Sequence, residues 1–123
     1  MATTEKLSPQ HITVEEWMAA IERAGLTPKH EELLRYLYGL PEQTMTAAAV
    51  AEAMGWKSWT VTNRQYGEIA KRVVSALERS LELEYWIFGI LYNAGKDANG
   101  QTRLRMRQNF ATAVGRFLAG APA

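Results

Sequence analysis

Residues Met45 to Ser80 read MTAAAVAEAMGWKSWTVTNRQYGEIAKRVVSALERS. A short Ala-rich stretch with helical spacing stops at Gly55, and a longer helical pattern follows, with polar and basic side chains on its free face. Two helices joined by so short a turn have the order of a helix-turn-helix, and this order constrains the chain more than any other feature.

The rest of the sequence narrows what such a motif can belong to. With 123 residues, 47% of them hydrophobic, the chain fits one domain with one core. It has no cysteine, which excludes disulfides and thiolate zinc sites, and only two histidines, His11 and His30, which argues against a transition-metal centre. The first residues lack an apolar signal core, and no run reaches the roughly 18 to 20 apolar residues of a membrane span. The expectation is a soluble cytoplasmic protein with no membrane contact.

The net charge is only +1, but it divides at Gly55. Four basic residues face eight acidic ones before it, and ten face five after it. A basic half attracts polyanions even in a nearly neutral molecule; alternatively the two halves attract each other.

Capping signals place the helices. Residues 1–12 are polar at the start and expected to be mobile, with a single domain over 13–119. Thr13 and Glu16 form a capping box that opens a helix from Val14 to about Ala24, ended by Gly25. Thr27 with Pro28 opens a second, with Leu33, Leu34, Leu37 and Leu40 as its apolar stripe, and Pro41 stops it. Thr46 caps a third helix to Met54, and Gly55 suits a left-handed terminus. Ser58 caps a fourth, placed from Trp59 to about Arg79, with Trp59, Thr62, Tyr66, Ile69, Val73, Ala76 and Leu77 as its buried face.

Beyond it the period changes. YWIFGILY (Tyr85 to Tyr92) reads as a strand apolar on both faces, NAGKDANG (Asn93 to Gly100) as a hairpin tip, and Gln101 to Arg107 as a return strand. On the return strand Thr102, Leu104 and Met106 alternate with Arg103, Arg105 and Arg107. A last helix from about Gln108 to Leu118 packs Phe110, Val114, Phe117 and Leu118 inward, and offers a surface for a homodimer. The fold class expected is mainly α with a small β-hairpin, a winged helix-turn-helix.

From about Met45 to Leu118, roughly two thirds of the chain, the pattern resembles the small bacterial winged-helix domains found alone or beside HNH-type endonuclease modules. MTAAAVAEAMGWKSWTVTNRQYGEIAKRV, then YWIFGILY, the charged strand and the terminal helix carry the likeness. It implies recognition of double-stranded DNA rather than cleavage, in a regulator, an accessory subunit or a decoy. No HNH element lies within these residues.

The residues themselves offer two constellations for DNA. At the start of the long helix, Asn63, Arg64 and Gln65 are the residue types that pair with adenine and guanine edges in the major groove, beside Lys57, Ser58 and Thr60, with Lys71 further along. Solvated positions on an exposed helix would look the same. The second is the stripe Arg103, Arg105, Arg107, spaced about 7 Å per step on a strand, with Lys96 at the hairpin tip. Such a stripe can follow a phosphate backbone, in which case Arg103→Ala and Arg105→Ala each flatten the salt dependence of binding by about one unit. It can equally be the charged face of a protected sheet edge.

Trp56 and Trp59 flank the turn, where an aromatic can sit beside a sugar or an extruded base, though locking two helices together is the commoner role. Trp17 and Trp86 read as core. No acid lies two residues before a lysine, Asp97 is the only aspartate, and no GxxxxGK[ST] loop occurs, so neither a two-metal nuclease, a triad nor a nucleotide site is expected. The chain reads as a non-enzyme without metal or cofactor. The alternative to DNA is a protein-interaction module, of a phage or a defence system, using either the acidic surface of Glu15, Glu16, Glu22, Glu31 and Glu32 or the apolar YWIFGILY surface.

Overall fold

The computed structural model describes residues 7–120. Helix α1 (Val14–Arg23) begins at a reciprocal cap, in which the Thr13 hydroxyl accepts from the Glu16 amide and the Glu16 carboxylate accepts from the Thr13 amide, both at 3.1 Å. Two of the amides left free at a helix start are thereby satisfied. Helix α2 (Pro28–Tyr38) repeats the device with a histidine as partner: Thr27 Oγ1 accepts from the His30 amide, and His30 Nδ1 accepts from the Thr27 amide at 3.1 Å.

After α2 a single turn at Pro41–Gln43 holds Glu42 and Gln43 at φ 54° and 48°, and strand β1 (Thr44–Thr46) follows. Three residues with one buried position, Met45, carry too little alternation to be read as a strand. Helix α3 (Ala47–Met54) is capped by Thr46 and closed by Gly55 at φ 71°, the left-handed conformation a residue without Cβ adopts freely. Helix α4 (Trp59–Ser75) is capped by Ser58.

α4 ends at Ser75, one turn before the expected Arg79. The chain beyond it has other partners. Arg23 Nη2 donates to the Ala76 carbonyl at 2.8 Å, and the backbone of Leu7 bonds to both Ser80 and Glu82, each at 3.0 Å. The residues expected to be mobile are therefore in part tied down. Pro9 and Ile12 are buried, and Asn109 donates to the Ile12 carbonyl at 2.9 Å. The remainder of that expectation, residues 1–6, lies outside the described residues.

The strand expected from Tyr85 starts only at Leu91. Residues Trp86–Gly89 form a 3-10 turn, then β2 (Leu91–Lys96) and β3 (Thr102–Met106) make the hairpin. Gly89 is why the turn can lie against α4: a Cβ there would stand 2.6 Å from Val74 Cγ2. The hairpin tip is also narrower than expected, because β2 continues through a bulge between Asn93 and Lys96. Asp97 closes it, its carboxylate accepting from the amides of Asn99 and Gln101 at 2.8 and 2.9 Å.

The sheet is antiparallel throughout in the order β1-β3-β2. β3 is consequently the central strand and not an edge, paired with Thr44–Thr46 on one side and β2 on the other. Helix α5 (Gln108–Leu118) lies where the apolar spacing predicts it and packs on α1, with the rings of Trp17 and Phe110 edge to face at 5.2 Å. Ile12, Ile21, Leu33, Leu37, Tyr66, Ile69, Ile90 and Val114, fully or almost fully buried, share one core with them. Among the described residues the fold is five α-helices with a small three-stranded antiparallel sheet, and no helix is long and apolar enough to cross a membrane.

Candidate functional site

α4 carries two parallel stripes. Thr62, Tyr66, Ile69, Ala70, Val73 and Val74 form the buried one, anchored by the Tyr66 hydroxyl, which donates to the Leu33 carbonyl at 2.7 Å. Offset by one position runs a second, Trp59, Asn63, Arg64, Gly67, Glu68 and Lys71, which forms one wall of a groove of about 740 Å³. The 3-10 turn supplies the facing wall with Tyr85, Trp86 and Phe88, and the hairpin closes one end with Lys96 and Gln101.

Three large aromatics at this groove stay open to solvent: Trp59 is 55% exposed, Tyr85 63% and Trp86 45%. Trp59 and Trp86 were expected in the core. Trp59 stands at the first position of α4, one turn before the core stripe closes over Thr62, and Trp86 lies on a turn instead of a strand. A folded chain ordinarily buries much of such rings, so three exposed around one groove form a feature of the surface.

Arg64, Lys71 and Lys96 are exposed in the same groove, and none is paired with a carboxylate among the described residues. Lys96 donates to Thr102 Oγ1 at 2.9 Å. Glu68, the one acid in the wall, is engaged by Arg72 at 3.1 Å, and Arg72 also donates to the Gly25 carbonyl. Asn63 Oδ1 is buried without a hydrogen-bond partner. A buried unpaired acceptor costs about 1 to 3 kcal/mol, so its presence in a groove wall is notable.

The candidate residues divide accordingly. Asn63, Arg64, Lys71 and Lys96 come together in the groove; Gln65 is half-buried outside its wall. Lys57 is exposed at the turn before α4, while the hydroxyls of Ser58 and Thr60 contact each other at the helix start. The arginines of β3 do not join them. Leu104 lines the groove, so Arg103 and Arg105, on the opposite face of the strand, point away from it, and Arg107, just beyond the strand at the start of α5, is not among the groove's lining residues.

Each of these arginines is occupied within the fold. Arg103 donates to the Ala94 carbonyl at 2.8 Å. Arg105 donates to Thr44 Oγ1 and pairs with Glu42 at 3.0 Å. Arg107 gives two bonds to the Phe88 carbonyl and lies 6.0 Å from the Tyr92 ring centre; burial lowers its pKa, with Tyr92 acting in the opposite sense. Because β3 is central, its outer face is flanked on both sides by acceptors that a true edge would lack.

The acidic residues of the first half are also partly engaged. Glu16 pairs with Arg79 at 2.9 Å and Glu32 with Lys29 at 3.6 Å, while Glu15 and Glu22 are exposed. Of the four ion pairs among the described residues, Glu16–Arg79 and Glu42–Arg105 join the acidic half to the basic half, so part of the charge division is used to hold the fold together.

Tyr85 and Trp86 were hidden by reading YWIFGILY as one strand, and Gly67 by its place inside a helix. The signal that could have found the site is the second stripe of α4, which interrupts a polar face with Trp59 and Gly67, eight residues apart on the same row. No protein-family model, curated protein or solved structure matches this chain.

Proposed function

We propose that this protein is a winged-helix domain that binds nucleic acid without acting on it, α4 being the recognition helix and the β2–β3 hairpin the wing. The observation that carries the reading is the convergence of Arg64, Lys71 and Lys96, from two separate elements, on one groove without acidic partners among the described residues. The order of α3, a tight turn, α4 and a hairpin, with β1 completing the sheet, supports it.

Lys57 and Thr60, exposed at the start of α4, add contacts for phosphate or a thymine methyl, and Asn63 and Arg64 are the base-reading types in reach. A role in the control of transcription, or of mobile or restriction elements, fits a domain that recognises without cleaving. Docking through the acidic surface is the weaker reading, since Glu16 and Glu32 already have partners.

Duplex binding measured across a salt series tests the proposal. Log affinity is expected to fall linearly with log salt by about 0.9 per phosphate neutralised, and Arg64→Ala and Lys96→Ala each to flatten that slope by about one unit. No detectable binding of any nucleic acid at low salt overturns it.

A further inference from the structure

The groove is built for more than phosphates. A closed duplex presents base edges and a charged backbone, but the flat faces of its bases are stacked on one another. Trp59, Tyr85 and Trp86 line the groove and are each about half exposed or more, an aromatic surface for which such a duplex has no matching flat face. An unpaired base does, because every base has a face that stacks on an aromatic ring whatever its sequence.

Gly67 makes the same point from the backbone. A glycine inside a helix is unfavourable relative to alanine, and structure usually explains it by a close neighbour. Here a Cβ would meet nothing within 4 Å. The fold itself does not require the glycine, and its place in the groove wall leaves room for something to lie flat against α4.

We infer that the groove binds a strand of nucleic acid with its bases unpaired. Trp59, Tyr85 and Trp86 stack on the bases, and Arg64, Lys71 and Lys96 take the phosphates. The inference rests on the proposed nucleic-acid function and adds to it the state of the ligand: a single strand, or bases displaced from a duplex. Charge complementarity favours this occupant over an apolar peptide, since among the described residues three cations along the groove have no carboxylate partner and its one acid is paired with Arg72.

The test is titration of the full chain at low salt with a thymidine strand of about ten nucleotides, an abasic strand of the same length and charge, and a duplex. The thymidine strand is expected to quench tryptophan fluorescence and to bind at least about tenfold more tightly than the abasic one. Trp59→Ala and Trp86→Ala, each compared with the parent at a temperature where melting curves show it folded, weaken it by about 5- to 150-fold. Gly67→Leu, which projects into open space, blocks it.

Equal affinity for thymidine and abasic strands, or aromatic variants that bind as well as the parent, overturns the inference while salt-dependent duplex binding leaves the broader function standing. Failure to bind all three probes overturns both, and is the result a peptide groove would give.

Discussion

Arg105 and Thr44, 61 residues apart in the chain, face each other across the sheet, and Arg105 Nε donates to Thr44 Oγ1 at 2.8 Å. The same guanidinium reaches Glu42, whose φ of 54° puts it in a left-handed conformation uncommon for a residue with a Cβ. This arginine closes the turn that leads into β1. Its charge is used inside the molecule.

Arg105→Ala is therefore expected to lower stability by about 1 to 3 kcal/mol, the scale of hydrogen bonds to a charged group, and to leave the salt slope of duplex binding unchanged. Denaturant unfolding and a salt titration on the same variant check it. A slope flattened as much as by Arg64→Ala would return Arg105 to the binding face.

His30 gives a pH dependence. Its Nδ1 accepts from the Thr27 amide only while unprotonated, and burial first, then Arg72, lowers its pKa, with Glu68 opposing. With the folded pKa below the ordinary value of about 6.5, the folded chain binds fewer protons than the unfolded one in the window beneath that value. Stability from this cap is thus whole above about pH 6.5 and is lost as the pH falls through the folded pKa. His30→Gln keeps an acceptor for the capping box without titrating, so its melting temperature should decline less than the parent's between about pH 7.5 and pH 5. Identical declines would remove His30 from the account.

Gly89→Ala should destabilise the protein by about 1 to 3 kcal/mol, because its Cβ meets Val74 and Leu83 where the turn lies on α4. The expected signature is a lower denaturant midpoint at unchanged slope. A neutral result would mean that the turn moves aside freely.

Gly67→Ala should do the opposite and raise stability by about 0.5 to 1 kcal/mol, since it improves helix propensity and touches nothing. Thermal melts of the two glycine variants side by side separate a glycine the fold requires from one it does not.

Where each helix begins was legible in the residues alone. Thr13 with Glu16, Thr27 with Pro28, Thr46 and Ser58 all act on amides within three positions of themselves, and Gly55 ends α3 through its own backbone angle. The alternation on β3 was legible too, because a strand's two faces differ at every step. Signals of this range need no partner from elsewhere in the chain.

Only the tertiary structure decided which strand is central, where α4 stops and which aromatics stay in water. β3 lies in the middle because three residues of β1, some sixty positions earlier, pair with it; that pairing brings Thr44 to Arg105, while Ala94 of β2 and Phe88 of the turn before it supply the acceptors for Arg103 and Arg107. α4 ends at Ser75, where Arg23 takes the Ala76 carbonyl, and the chain from Ser80 onward pairs with Leu7. Trp59 and Trp86 are the same residue type as the tryptophan buried at position 17, yet they and Tyr85 stay exposed. Whether such a ring is covered depends on what the rest of the chain leaves beside it, and beside these three it leaves a groove.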